Sequence, residues 1–352
     1  MMGPQLPPRL NAAIASTLTG IGLGRLVDRI RKRRLQAFDT DDIAAVPRAP
    51  VANRATGTLQ RCDSRTQLHK PNVVRNTYGG DTSGTVEYRF NSAGYRSEEI
   101  DPNARIRVLL VGESHALGTG VAFDQTLGQR FKTHVAEALD LPPASVNVVN
   151  LAVGGASADY CLRTLLRQFD AVAPTLVIAV LPPFDRIEDW TETGPQTYRV
   201  SGIDPDGIEN APIPVQGFLD LFNPEAGRMN LVKNALMIEA ACAQRGIEHI
   251  LVSEDLRPRH FETPYLQPVY AQLDQARLVL HGLFEFRADA AADNSHAGAA
   301  THEALAIRIL SRYAALLRAG GDARGDRLAR HATQQKDTSA DWAFIQKAHG
   351  HA

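Results

Sequence analysis

A few positions in this chain combine side chains that react together with spacing that would let them meet. They are Ser114 in Gly112-Glu113-Ser114-His115, the pair Gly154-Gly155, and Asp293 with His296 in Asp293-Asn294-Ser295-His296. A serine hydroxyl is a weak nucleophile until a base takes its proton, and histidine is the usual base near neutral pH. The imidazole needs an acceptor on its second nitrogen, which Asp293 can supply from three residues upstream. Acyl transfer at Ser114 would also create an oxyanion. Its expected donors are the Ser114 N–H, at the start of a helix, and the Gly155 N–H, which no side chain shields. The set therefore predicts Ser114 as nucleophile, His296 as general base, Asp293 as orienting acid and Gly155 as oxyanion donor. Asp289 is the rival for the orienting role. His115 adjoins the serine but is expected to point elsewhere, and His302 reads as a helix-start residue. Asp293, His296 and His302 lack a fourth metal ligand at recognisable spacing, so no metal is expected.

These residues act together only if folding brings them to one rim. "IRVLLVG" from Ile106, "VNVVNLA" from Val146, "TLVIAVLPP" from Thr175 and "IEHILVSED" from Ile247 are short apolar runs with abrupt ends. Such runs suit strands of a parallel sheet buried on both faces. "LFEFRA" from Leu283 is a candidate fifth. Between them lie helical patterns. Leu127, Phe131, Val135 and Leu139 recur every four residues, with Asp124 as expected N-cap and Leu141-Pro142-Pro143 as the stop. Leu162, Leu165, Leu166 and Phe169 mark a second helix, Leu231 to Gln244 a third, and Ala306, Leu310, Tyr313 and Leu317 the closing one. Alternating strands and helices mean βαβ units with helices on both faces of the sheet. In open α/β sheets, sites gather beyond the carboxyl ends of the strands. Ser114, Gly155, Asp185 and Arg186 follow three such ends, and Asp293 and His296 precede the last helix. The alternation lapses over about 186–225, where turn chemistry in "YRVSGIDPDGIENAPIP" predicts an inserted hairpin that acts as lid or surface element. "YRFNSAGYR" reads as a strand entering a turn at Asn91–Gly94, with Arg96 expected to pair with Glu98 or Glu99.

On these residues the chain resembles the SGNH/GDSL hydrolase superfamily. "GESHALGTGV" looks like the block that carries the nucleophile, with Ser114 in that position. "NLAVGG", Asn150 to Gly155, is similar to the block whose last glycine gives an oxyanion N–H. "DNSH", Asp293 to His296, matches the terminal Asp-x-x-His block. "FNSAGYR", Phe90 to Arg96, is similar to a segment that precedes the serine in one branch. The resemblance spans about Phe90 to Leu317. It implies an α/β fold, three-layer α/β/α with a mainly parallel, flavodoxin-like sheet. It also implies an ester hydrolase working through an acyl-enzyme, without a cofactor, on a small-molecule or carbohydrate ester. The sequence departs from the pattern twice. Glu113 replaces the usual Asp, a mild change because that carboxylate is not a triad member. Phe184, in "LPPFDR", stands where an Asn side chain normally donates to the oxyanion. That leaves a hole of two donors, or one completed from elsewhere. The same residues would serve an O- or N-acyltransferase, and Phe184 is the feature that would fit a catalytically weakened binding protein.

Composition sets outer bounds. Among 352 residues, Lys+Arg number 38 and Asp+Glu 39, a net charge of -1 that calls for no nucleic-acid partner. No apolar run reaches the ~20 residues that span a bilayer. Leu10 to Leu23 is mildly apolar, but the basic cluster "RIRKRR" follows it, the reverse of a secretory signal. A cytoplasmic protein is expected, with export through this segment as the alternative. Cys62, Cys161 and Cys242 are far apart and predict neither a disulfide framework nor a structural zinc site. The organisation expected is an N-terminal extension over 1–75, a catalytic domain over 76–318 and a polar tail over 319–352.

Overall fold

The computed structural model describes residues 74–75, 86–191, 194–199, 216, 222–280 and 287–338. All fall in the second of two compact units, Ala52–Ala352. Apart from Val74 and Arg75, the expected N-terminal extension lies outside the described residues.

The elements run β1 (Val74–Arg75), β2 (Tyr88–Arg89), β3 (Ile106–Val111), α1 (Ser114–Leu117), α2 (Leu127–Leu139), β4 (Val146–Asn150), α3 (Ala158–Val172) and β5 (Leu176–Val180). There follow β6 (Arg186–Thr191), β7 (Gly194–Arg199), α4 (Pro224–Gln244), β8 (Glu248–Val252), α5 (Gln267–Tyr270), β9 (Leu278–Val279), α6 (Ala299–Ala319) and α7 (Arg324–Thr338). Five strands form one parallel sheet in the order β4-β3-β5-β8-β9. The first of these five in sequence, β3, lies inside the sheet and the chain winds outward both ways, as in flavodoxin-like folds.

The apolar runs are continuous because both faces are covered. Val108, Leu110, Val148, Ile178 and Ile250 point into a core shared with α2, α6 and α7. Their neighbours Leu109, Val149, Val177 and Leu251 point into a second core against α3 and α4. Each strand alternates between two apolar environments, which gives the three-layer α/β/α fold. Cys161 and Cys242 are free thiols in the second core. Burial pushes the Cys242 thiol up to about 12 and Cys161 higher still, so neither is a thiolate near neutral pH.

Several local expectations are refined. Asp124 does not cap α2; it lies in a 3-10 turn over Phe123–Gln125, and Thr126 takes the capping position. The first helical N–H, of Leu127, donates to His302 Nδ1 at 3.1 Å. The fifth strand is Leu278–Val279, whereas most of "LFEFRA" lies outside the described residues. The inserted hairpin is β6–β7, paired antiparallel from Arg186↔Arg199 to Thr191↔Gly194. The Asp-Pro-Asp-Gly turn at 204–207 lies outside the described residues. The polar segment after Ala319 contains α7, which docks on α6 and α2 through Leu328 and Ala332. Two fully buried apolar residues in a charged helix are too few for a period to show in sequence. The short helix that the polar tail is expected to carry around Trp342 lies outside the described residues. Among the described residues no helix is long and apolar enough to cross a membrane.

Candidate active site

β3 delivers the chain to the rim. Glu113, in extended backbone, caps α1: its Oε1 accepts the His115 N–H at 3.0 Å. Ser114 is therefore the first residue of a one-turn helix at a strand end. Asn150, at the end of β4, holds that turn by donating from Nδ2 to the Ala116 carbonyl at 2.8 Å. The loop beyond is held by Arg96. It pairs with neither Glu98 nor Glu99; Lys132 takes Glu98 and Ser92 takes Glu99. The buried Arg96 guanidinium instead donates to the carbonyls of Leu117, Gly118 and Val121, and lies 4.1 Å over the Tyr88 ring. The Gly118 carbonyl also accepts the Val121 N–H at 3.2 Å; at the end of a one-turn helix, where the helical ladder stops, a five-donor side chain can satisfy several carbonyls at once.

The second half of the site comes from the loop before α6. Asp289 is not the orienting acid, because it serves that helix: its carboxylate accepts the Ala300 and Thr301 N–H groups and the Thr301 hydroxyl. Asp293 is left for His296. Its Oδ1 accepts the Ser295 and His296 N–H groups at 3.1 and 3.0 Å, and its Oδ2 lies 2.5 Å from His296 Nδ1. Burial alone would raise the Asp293 pKa, but these hydrogen bonds and the imidazole hold it below the ordinary carboxylate range. His296 Nε2 is 2.9 Å from Ser114 Oγ. With Nδ1–H donated to Asp293, Nε2 turns its lone pair to the serine. The two loops meet at Gly120, whose carbonyl accepts the Ala292 N–H at 3.0 Å. A Cβ on Gly120 would stand 2.8 Å from the Ala291 Cβ, and its φ of +75° is one that side-chain-bearing residues rarely adopt.

Gly155 lies where the sequence placed it, in a turn just past β4. The Val153 N–H donates to the Gly112 carbonyl, so the ladder runs on past the strands toward Ser114. Gly155 is exposed with φ +74°, and Ser157 closes the turn as the cap of α3.

One pair exceeds its sequence reading. Glu113 was read as a bystander and Arg186 as a rim residue. The Ser114 hydroxyl donates to Glu113 Oε2 at 2.6 Å, and Arg186 Nη1 lies 3.2 Å from the same oxygen. Both side chains are almost fully buried. Burial opposes ionisation of Glu113, but His115, Arg186 and hydrogen bonds from Ser114 and the His115 N–H hold its carboxyl below the usual range. Ser114 thus faces two acceptors, Glu113 and His296, with one proton. Phe184 contributes no side-chain donor; its N–H donates to Asp255 at 3.0 Å and Arg228 lies 4.9 Å over its ring.

His115 and His302 are buried, and neither joins Asp293 and His296 in a metal-ligand group among the described residues. His115 Nδ1 accepts the Ala297 N–H at 3.4 Å. Burial pushes the His115 imidazole down to about 4 and that of His302 to about 3. Both must therefore gain protons on unfolding at mildly acid pH, since an unfolded histidine titrates near 6.5. Their stabilising effect is complete above pH ~6.5 and is lost as pH falls toward 4. The unfolding free energy from urea melts is expected to drop by roughly a few kcal/mol between pH 7 and 4. His302→Gln, which can still accept the Leu127 N–H, should flatten that slope. An equal slope in the variant would refute the assignment.

No family model matches the chain, and no curated protein matches it. Among solved structures, the chain is similar to TesA, with a TM-score of 0.35 at 18% identity, covering 60% of this chain and 97% of that one. It is also similar to the psychrotrophic esterase EstA from Pseudoalteromonas sp., in a structure inhibited by monoethylphosphonate, with a TM-score of 0.27 at 15% identity, covering 49% of this chain and 75% of that one. Both likenesses are distant, and the chemistry open to this site follows from its own geometry.

Proposed function

We propose that the protein is a serine ester hydrolase of the SGNH type, acting through an acyl-enzyme on a small-molecule or carbohydrate ester. The observation that carries this reading is His296, set between Ser114 Oγ at 2.9 Å and Asp293 Oδ2 at 2.5 Å on the rim beyond the strand ends. In the first step Ser114 Oγ attacks the ester carbonyl while His296 Nε2 takes its proton. Asp293 holds the imidazolium that forms. The oxyanion meets the N–H groups of Ser114 and Gly155. As it collapses, the C–O bond breaks and His296 gives its proton to the departing alkoxide. Water then attacks the acyl-enzyme, again losing a proton to His296, and returns Ser114 with release of the acid. The Ser114–Glu113 hydrogen bond is a resting arrangement: rotation about Cβ–Oγ turns the same proton to His296.

A fluorophosphonate probe tests the nucleophile. Wild type is expected to be labelled at Ser114, and Ser114→Ala is expected not to be. Absence of labelling in wild type would end the hydrolase reading, and equal labelling of both would move the nucleophile elsewhere. Turnover of p-nitrophenyl acyl esters with and without an added alcohol then separates hydrolysis from transfer: an acyltransferase would pass the acyl group to the alcohol in preference to water.

A further inference from the structure

Away from the Ser114 rim, α2 and α7 bring together two imidazoles and a carboxylate. We propose that His134, His331 and Glu137 form a binding site for a divalent transition-metal ion of the zinc type, which clips α7 to the body of the domain.

His134 and Glu137 are one turn apart on α2, and His331 reaches them from α7. One ligand atom from each of the three lies within 4.8 Å of the others. His134 Nδ1 and His331 Nε2 are 3.1 Å apart, and His331 Nε2 is 3.6 Å from Glu137 Oε2. Tetrahedral zinc with ligands at about 2.0–2.1 Å sets neighbouring donors about 3.3–3.5 Å apart. Two edges of the triangle therefore match to a few tenths of an ångström, and the third is within 4.8 Å, with Glu137 the most exposed of the three.

A second observation points the same way. His134 Nε2 lies 2.7 Å from Glu303 Oε1, and Glu303 is itself met by Arg130 at 3.4 Å. That carboxylate takes the Nε2–H, which leaves the lone pair on Nδ1, facing His331. A carboxylate behind a ligating histidine fixes both its tautomer and its ring orientation, and is the usual support of a metal-bound imidazole. Without metal, a proton on His331 Nε2 can bridge the two rings; with metal, the ion takes that place and His331 carries its proton on Nδ1. Two nitrogens and one oxygen suit zinc and its neighbours better than magnesium or calcium. Glu137 is the most exposed of the three ligands, so water is the expected fourth. The clip has a purpose in the fold, since α7 is strongly polar and Leu328 and Ala332 are its fully buried apolar contacts. The two histidines are 197 positions apart, so no sequence spacing announces the site.

The full chain, stripped with a chelator and dialysed, would be titrated with zinc chloride by calorimetry. Hydrogen exchange over 324–338 would be followed in parallel. Wild type is expected to bind about one equivalent at micromolar affinity or tighter, with α7 more protected in zinc than in chelator. His331→Ala and Glu137→Gln should each weaken binding by roughly 10–100-fold. Glu137 is half-exposed, so its variant stays informative even if His331→Ala loosens α7. Binding that is unchanged in both variants, lost instead in His296→Ala, or absent from wild type overturns the proposal.

Discussion

Replacing His296 by alanine is expected to lower kcat on an ester substrate by about 10⁶-fold, and Asp293→Asn by about 10⁴-fold, with KM little changed. The asymmetry follows from the geometry. His296 Nε2 is 2.9 Å from Ser114 Oγ, so its loss leaves an alcohol with no base of suitable strength at hand. Glu113 also touches Ser114, but a carboxylate held below its ordinary pKa is a poor proton acceptor. Asp293→Asn keeps the shape and alters the proton. An amide at that place can donate to Nδ1, which drives the imidazole proton to Nε2 and points a donor at the nucleophile. The effects should not add. Ser114→Ala combined with His296→Ala should be no slower than either alone, because each removes the same step. Rates from p-nitrophenyl ester hydrolysis and from single turnovers decide the matter. A His296→Ala enzyme within tenfold of wild type would show that another group takes the proton.

The second large effect is expected in stability. Arg186→Met should cost about 3–5 kcal/mol, because it strands the Glu113 carboxylate in a buried position. In thermal melts this is a fall of about 6–20 °C in Tm. Removing both partners removes the stranded charge, so Glu113→Gln with Arg186→Met should recover much of the loss. Activity should separate from stability in that double variant. Glu113 orients the serine hydroxyl through Oε2 and the start of α1 through Oε1, and a glutamine can keep only one of these acceptors. The double variant is thus expected to fold and yet to react slowly. If Arg186→Met melts with wild type, the pair is not the buried contact described above.

Some of this was legible in the sequence for a definite reason. A strand covered on both faces must be apolar throughout, so β3, β4, β5 and β8 announce themselves. Function in such sheets collects where those runs stop, so the sequence alone points to one rim for Ser114, Gly155, Asp293 and His296. Between Asp289 and Asp293 the spacing of the resembled family favours Asp293; in the structure the Asp289 carboxylate meets the N-terminus of α6 and that of Asp293 meets His296. Arg96 was misassigned because nearby acids in sequence are a poor guide to a guanidinium that binds carbonyls. The Glu113–Arg186 pair joins the ends of two different strands, a contact with no periodicity behind it. α7 escaped notice because a helix docked by Leu328 and Ala332 is, by composition, a polar tail. Phe184 was correctly read as lacking a donor, but its N–H is already committed to Asp255, so its backbone does not restore one.

The hydrogen bond between the Ala292 N–H and the Gly120 carbonyl has a kinetic meaning. Ser114 and His296 are 182 positions apart, and this joint is where their loops touch. Contacts of such separation close late, after the chain between them has lost most of its freedom. A nascent or refolding chain therefore carries its serine with no base beside it until the sheet and α6 are in place. On the function proposed above, reactivity is then withheld from every incomplete form of the molecule.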